Sequence, residues 1–307
     1  MSGQRLLSNS RRPVDPNGSR FGMKDGAGLL VLQLQGARLT LDPGRGGVIR
    51  ELNWHGQDVL RPTPAQAGDD PFDTACFPMV PYVNRVAHGR FGFAGRTVQL
   101  ARNWSEDPHP LHGQGWRKAW SVLSHSATQA RLRFEGGGDE WPWRYRSEQQ
   151  FDLEPNGLSV ELSMENLSET AMPAMLGLHP YFPDAAHARL EARLPRVWRA
   201  DSGALPVEEI PTPVEWSFDS PRVVREVPLD HGFVGWNGKA VLRWPDRTVT
   251  LSAPACAFLH VFTPRTRDFF CIEPQNAAPG ALSRGAALAV APGQRASIRA
   301  HFAVGAS

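Results

Sequence analysis

The chain has 307 residues, 41% hydrophobic and 21% charged, with a formal net charge of +2. That leaves ample apolar material for a large core and no concentrated Lys/Arg field to neutralise phosphates, so composition argues against nucleic acid as a partner. No apolar run approaches the roughly 20 residues that a bilayer span requires, and the N-terminus lacks the apolar segment of a secretory signal. The cytoplasm is therefore the expected location, with no membrane partner, and oligomeric state is left open. Cys76, Cys256 and Cys271 are too few and too widely spaced for a disulfide framework or a metal-binding pair, so reduced thiols are expected.

In chain order, residues 1–22 are rich in Ser, Arg, Pro, Asn and Gly without apolar periodicity, which predicts a flexible arm. Residues 23–307 read as a single domain. Its dominant signal has a period of two, in Arg38-Leu39-Thr40-Leu41, Thr97-Val98-Gln99-Leu100, Arg131-Leu132-Arg133-Phe134, Leu158-Ser159-Val160-Glu161-Leu162 and Ser297-Ile298-Arg299-Ala300-His301-Phe302. Such alternation puts one side of each strand in a core. Turn residues at Pro155-Asn156-Gly157, Trp236-Asn237-Gly238 and Pro245-Asp246 predict antiparallel hairpins, most plainly between Val241-Leu242-Arg243-Trp244 and Thr248-Val249-Thr250-Leu251. No long stretch carries helical apolar spacing, and 29 Gly with 27 Pro are too many for a helical bundle. The expected class is all-β, a sandwich of many short strands. Residues 201–213 come nearest to a linker, but charged and apolar residues continue on both sides.

Three polar clusters stand in these strands and turns. Asn84-Arg85 precedes Leu111-His112-Gly113-Gln114-Gly115; residues 177–182 read GLHPYF; residues 269–275 read FFCIEPQ. Alternation in the last places Cys271, Glu273 and Gln275 on one face and turns Ile272 to the core. A carboxylate among Phe, Cys and Ile is partly desolvated, which raises its basicity, and Pro274 should limit the strand to an edge or to its end. Glu273 is thus a candidate base, the alternative being a pair with a surface arginine. Imidazole titrates near neutral pH, and Pro180 holds His179 extended beside the aromatic Tyr181 and Phe182. His179 is a candidate acid, the alternative being a core histidine bonded to backbone. Trp116, Trp120, Trp141 and Trp143 could belong to the core or to a groove wall.

The order Asn84-Arg85, Gly89-Arg90-Phe91, His112-Gly113, His179-Pro180-Tyr181-Phe182, Asp230 and Glu273-Pro274-Gln275 resembles the aldose 1-epimerase, or galactose mutarotase, family. The resemblance implies a large twisted antiparallel β-sandwich with a sugar groove across one sheet. It also implies interconversion of the α and β anomers of a free aldohexose. Ring opening requires loss of the C1 hydroxyl proton and protonation of the ring oxygen, which an acid and a base on opposite sides of C1 can supply; no metal or other cofactor is expected. Glu273 would be the base and His179 the acid, with His112 assisting at the ring oxygen. Arg85 and Asp230 would hold sugar hydroxyls, Asn84 would support the loop or contact substrate, and Gln275 would contact substrate or orient the base. Two alternatives remain: a carbohydrate-binding protein without turnover, and an epimerase of hexose 6-phosphates, for which Arg90, Arg96 and Arg102 are available in sequence.

Overall fold

A computed structural model describes residues 28–68 and 70–305; the predicted arm over 1–22 lies outside these. Among the described residues the chain is almost entirely antiparallel strands, arranged mainly as an 11-stranded and a 9-stranded sheet. Apart from Leu100, which follows its strand, the period-two segments lie in strands: Ala37–Asp42, Arg96–Gln99, Gln129–Gly136, Gly157–Asn166 and Arg295–Gly305. In Gln129–Gly136 the alternation is directly visible, with Ala130 and Leu132 fully buried and Gln129 and Arg131 exposed.

One hydrophobic cluster takes residues from both large sheets. Phe182 stacks on Phe270 of its own sheet at 5.5 Å and meets Phe302 of the other at 6.4 Å. Trp116, Trp120, Trp141 and Trp143 are all buried, which places them in the core. The three cysteines are buried and free. No helix among the described residues is long and apolar enough to cross a membrane.

Two hairpins fall where the turn residues predict them, Tyr145–Glu154 with Gly157–Asn166 and Lys239–Arg243 with Thr248–Ser252. The expectation at Trp236-Asn237-Gly238 is corrected. The strands on either side of it, Asp230–Val234 and Lys239–Arg243, lie in different sheets, so this turn carries the chain across the sandwich. Residues 206–211 form the edge strand of the larger sheet, paired with Arg196–Ala200.

The strands that carry His179, Glu273 and Asp230 belong to a consecutive run in the larger sheet: Cys76–Met79, Gly177–Pro183, Phe269–Gln275, Phe258–Phe262 and Asp230–Val234. Phe269–Gln275 is therefore an interior strand; of the two placements drawn from Pro274, the edge is corrected and the strand end holds, since Pro274 is its penultimate residue. Pairing with Gly177–Pro183 is recorded at Gly177 opposite Gln275 and resumes at Tyr181 opposite Cys271. Pro180 and Pro274 fall in that interval and have no N–H to donate. An interior strand tolerates Pro274 because the ladder is open at that point.

Candidate active site

The interrupted ladder faces a groove of about 380 Å³ whose lining includes Asn84, Arg85, His112, His179, Asp230, His260 and Glu273. That volume suits a small polar ligand. Glu273 is 2% exposed, more deeply desolvated than sequence context suggested. Its Oε2 accepts a hydrogen bond from Gln275 Nε2 at 3.1 Å, and its Oε1 lies 3.2 Å from His179 Nε2. Burial pushes its carboxyl up to about 7, against the opposing pull of His260. Gln275 is fully buried and absent from the groove lining, so it stands behind Glu273, to which it donates.

His179 is held on its strand with its ring stacked on two aromatic neighbours, Phe77 at 4.3 Å and Tyr181 at 4.8 Å. Burial lowers it to about 3, and the neighbouring His260 adds to this, so the ring is neutral across the ordinary pH range. The candidate acid and base are side by side, not on opposite sides of a ligand as the sequence reading expected. Neighbouring strands place them in adjacent positions on one floor of the groove. A hemiacetal carries its C1 hydroxyl and its ring oxygen on the same carbon, so adjacent groups suit the two oxygens.

His112 reaches the groove from the turn after Leu111. Its Nδ1 accepts the backbone N–H of Asn84 at 3.2 Å, which makes Nδ1 an acceptor and leaves the hydrogen on Nε2. Burial, with His179 and Arg85 nearby, holds it well below its ordinary value. His112 is thus a neutral donor, 5.4 Å from the His179 ring and edge-on to it.

Arg85 lines the groove and is paired through Nε with Asp107 Oδ2 at 2.7 Å. Asp230 lines it with a side chain 44% exposed. Burial would raise Asp230, but the hydrogen bond from His260, with the Arg85 guanidinium also nearby, outweighs it and holds the carboxyl below its usual range. Asn84 is 4% exposed; its Oδ1 accepts the Arg85 N–H at 2.7 Å and its Nδ2 meets His260 Nδ1 at 3.2 Å. Both ends of its amide are therefore occupied by protein partners, which favours support over sugar contact.

The structure adds groups that the sequence reading did not select. His260, 7% exposed, lies directly opposite Glu273 on the neighbouring strand and bonds Asp230. A lone histidine in the apolar run Phe258-Leu259-His260-Val261-Phe262 was a signal for it, but its register against Glu273 was not readable. Arg61 stacks over Tyr181 and Phe269 at 4.3 and 4.4 Å and donates to the carbonyls of Phe72 and Thr74. Together with Phe72, Phe262 and Phe269 it supplies the flat walls. Arg90, Arg96 and Arg102 are absent from the lining; Arg61, Arg85 and Arg267 are the arginines there, alongside Asp70 and Asp73.

Among the described residues, one group could hold a metal: His179, Cys271 and Glu273, with ligand atoms within 4.8 Å of one another. Burial pushes the Cys271 thiol well above its ordinary range, so the strongest ligand of the three is held in its poorly coordinating form.

Comparison with known proteins identifies the fold and the family. A curated Escherichia coli K12 relative, the uncharacterized protein YphB, is 34% identical over 281 residues, covering 87% of this chain and 96% of its own. A solved E. coli K12 structure, provisionally assigned as an aldose 1-epimerase, superposes with a TM-score of 0.84 at 30% identity, covering 91% of this chain and 99% of that one. A galactose mutarotase-like protein from Clostridium acetobutylicum matches in fold, with a TM-score of 0.82 at 18% identity over 91% and 95% of the two chains. The model of the aldose 1-epimerase family matches residues 37–303, and the chain belongs to that family.

Proposed function

We propose that the protein is a mutarotase acting on a free aldohexose, with Glu273 and His179 as its acid–base pair. The observation that carries this reading is the 3.2 Å contact between two buried groups, one raised to about 7 and the other lowered to about 3. Such a pair holds one proton below neutrality. Moving it from Glu273 to His179 Nε2 leaves a carboxylate and an imidazolium side by side. The carboxylate then takes the C1 hydroxyl proton as the imidazolium protonates the ring oxygen. The bond from C1 to the ring oxygen breaks and a carbonyl forms at C1. After rotation about C1–C2 the same steps run in reverse on the other face. His112 Nε2–H donates to the ring oxygen, and Arg85 and Asp230 bind hydroxyls. Binding without turnover would not require such an acid–base pair.

A second reading is supported by Arg267 at the groove, which a hexose 6-phosphate could use. Asp70 and Asp73 line the same groove and repel a phosphate, so the free sugar is preferred. The test is polarimetry of freshly dissolved α-D-glucose and α-D-galactose with the protein and with Glu273→Gln. We expect acceleration by the native chain and loss of about a thousandfold in the variant. A folded variant that retained native rates would exclude Glu273 from the chemistry.

A further inference from the structure

His260 takes no part in the proton transfers proposed above, yet it is buried against the groove with both ring nitrogens engaged. Its Nε2 lies 2.8 Å from Asp230 Oδ1, and its Nδ1 lies 3.2 Å from Asn84 Nδ2. Asn84 cannot turn its amide over freely, because its Oδ1 accepts the backbone N–H of Arg85 at 2.7 Å. A turned amide would set its NH₂ against that N–H and leave two donors facing each other. The amide hydrogen therefore points at His260 Nδ1, which must accept. The only ring hydrogen is then on Nε2, and it is donated to Asp230.

From this chain of bonds we infer that His260 is a neutral positioning residue, locked as the Nε2–H tautomer by Asn84. It fixes Asp230 Oδ1 so that the second carboxylate oxygen is presented to a sugar hydroxyl. The direction of hydrogen bonding runs without a break from the Arg85 backbone through Asn84 and His260 to Asp230. Asp230 is more exposed than the other members, with a side chain 44% exposed against 8% for His260, so the relay starts in the core and ends at the ligand. The nearby carboxylates of Glu273 and Asp230 outweigh burial and raise His260 above its ordinary value, favouring its charged form. Taking a second proton, however, would require the Asn84 amide to turn and would break the bond to Arg85. The same Asn84 also sets His112 as an Nε2–H donor through its backbone N–H. One residue thus orients two histidines.

The inference rests on the sugar-binding reading of the groove, and the experiment has one arm that does not. In the native protein at pH 7.5, ¹⁵N NMR of His260 should give one pyrrole-like nitrogen, Nε2, and one pyridine-like nitrogen, Nδ1. Two pyrrole-like nitrogens, or the hydrogen on Nδ1, would overturn the relay whatever the protein binds. In kinetics, His260→Asn can reach Asn84 but not Asp230, and KM should rise about tenfold with kcat little changed, as expected for loss of a hydrogen bond to a charged group. His260→Gln places an amide N–H where Nε2 stood and should restore KM to within about threefold of native. Equal defects in the Gln and Asn variants would show that the charge or shape of histidine matters and not the hydrogen it donates. If the native chain accelerates no free aldose, the proposed function fails, and the NMR arm alone decides the relay.

Discussion

Glu273 concentrates two consequences of burial in one side chain. Because its pair with His179 carries one proton below about 7 and none above, kcat/KM for anomerisation should fall as pH rises past neutrality, by roughly tenfold per unit. A pH profile flat from 6 to 9 would remove the shared proton from the mechanism. The stability consequence has the same sign. The folded carboxyl binds its proton more tightly than the unfolded one, so its contribution is complete below about 4.5 and is lost as pH rises through about 7. Glu273→Gln has no charge to bury, so it should unfold at higher urea than the native chain at pH 8, by on the order of 3 kcal/mol, and show no such advantage at pH 4.5. An equal difference at both pH values would trace the effect to packing. The apolar setting of Glu273 was legible in FFCIEPQ, because period-two geometry follows from local sequence. The depth of burial was not legible, since it depends on strands about 10 and 90 residues away. His260 shows the same limit: nothing in FLHVF states that the neighbouring strand carries Glu273 at the opposing position.

At the scale of elements, the turn that delivers His112 is held by backbone geometry. Gly113 has a φ of +71°, and a Cβ placed on it would lie 2.3 Å from the Val80 carbonyl oxygen and 2.5 Å from Pro81. Its backbone is bridged to Val80, while Arg85 is bridged to Leu111, so the turn is pinned on both sides of His112. Gly113→Ala should cost about 2 to 4 kcal/mol through strain and overlap, and should lower kcat as His112 is displaced, both measurable by thermal melting and polarimetry. A variant with native melting and native kcat would show that the turn yields freely. Glycine beside histidine was visible in sequence, and the requirement for its conformation was not, because the obstructing carbonyl comes from residue 80. Pro274 fits the same account. Proline lacks a ladder donor, which argued for an edge or for a strand end; Pro274 does stand at the end of its strand, and the partner strand carries Pro180 in the same interval, so the two gaps coincide and the strand stays interior. The turn at Asn237-Gly238 was recognised correctly as a turn and incorrectly as a hairpin, since local sequence does not say which sheet the next strand joins.

For the whole molecule, the question is whether the two sheets stand or fall together. Phe182 points into the core from the strand that carries His179 and touches a ring in each sheet, Phe270 and Phe302, within one cluster that spans both. Truncating it leaves a cavity where the sheets meet, which should cost about 3 to 5 kcal/mol. If the described residues unfold as one unit, Phe182→Ala should shift the entire thermal transition, with far-UV and near-UV circular dichroism moving together. A second transition left in place would divide the chain into two cooperative units and end the single-domain reading. The sugar groove gives this prediction a functional side. Phe182 lies on the core side of the strand that carries His179 and Tyr181 on the groove side, because successive side chains alternate. Phe182→Ala should therefore leave KM within about threefold of native well below its melting temperature, provided the strand keeps its register. A large rise in KM at a temperature where the variant is fully folded would mean that the core holds the groove walls in position as well as holding the sheets together.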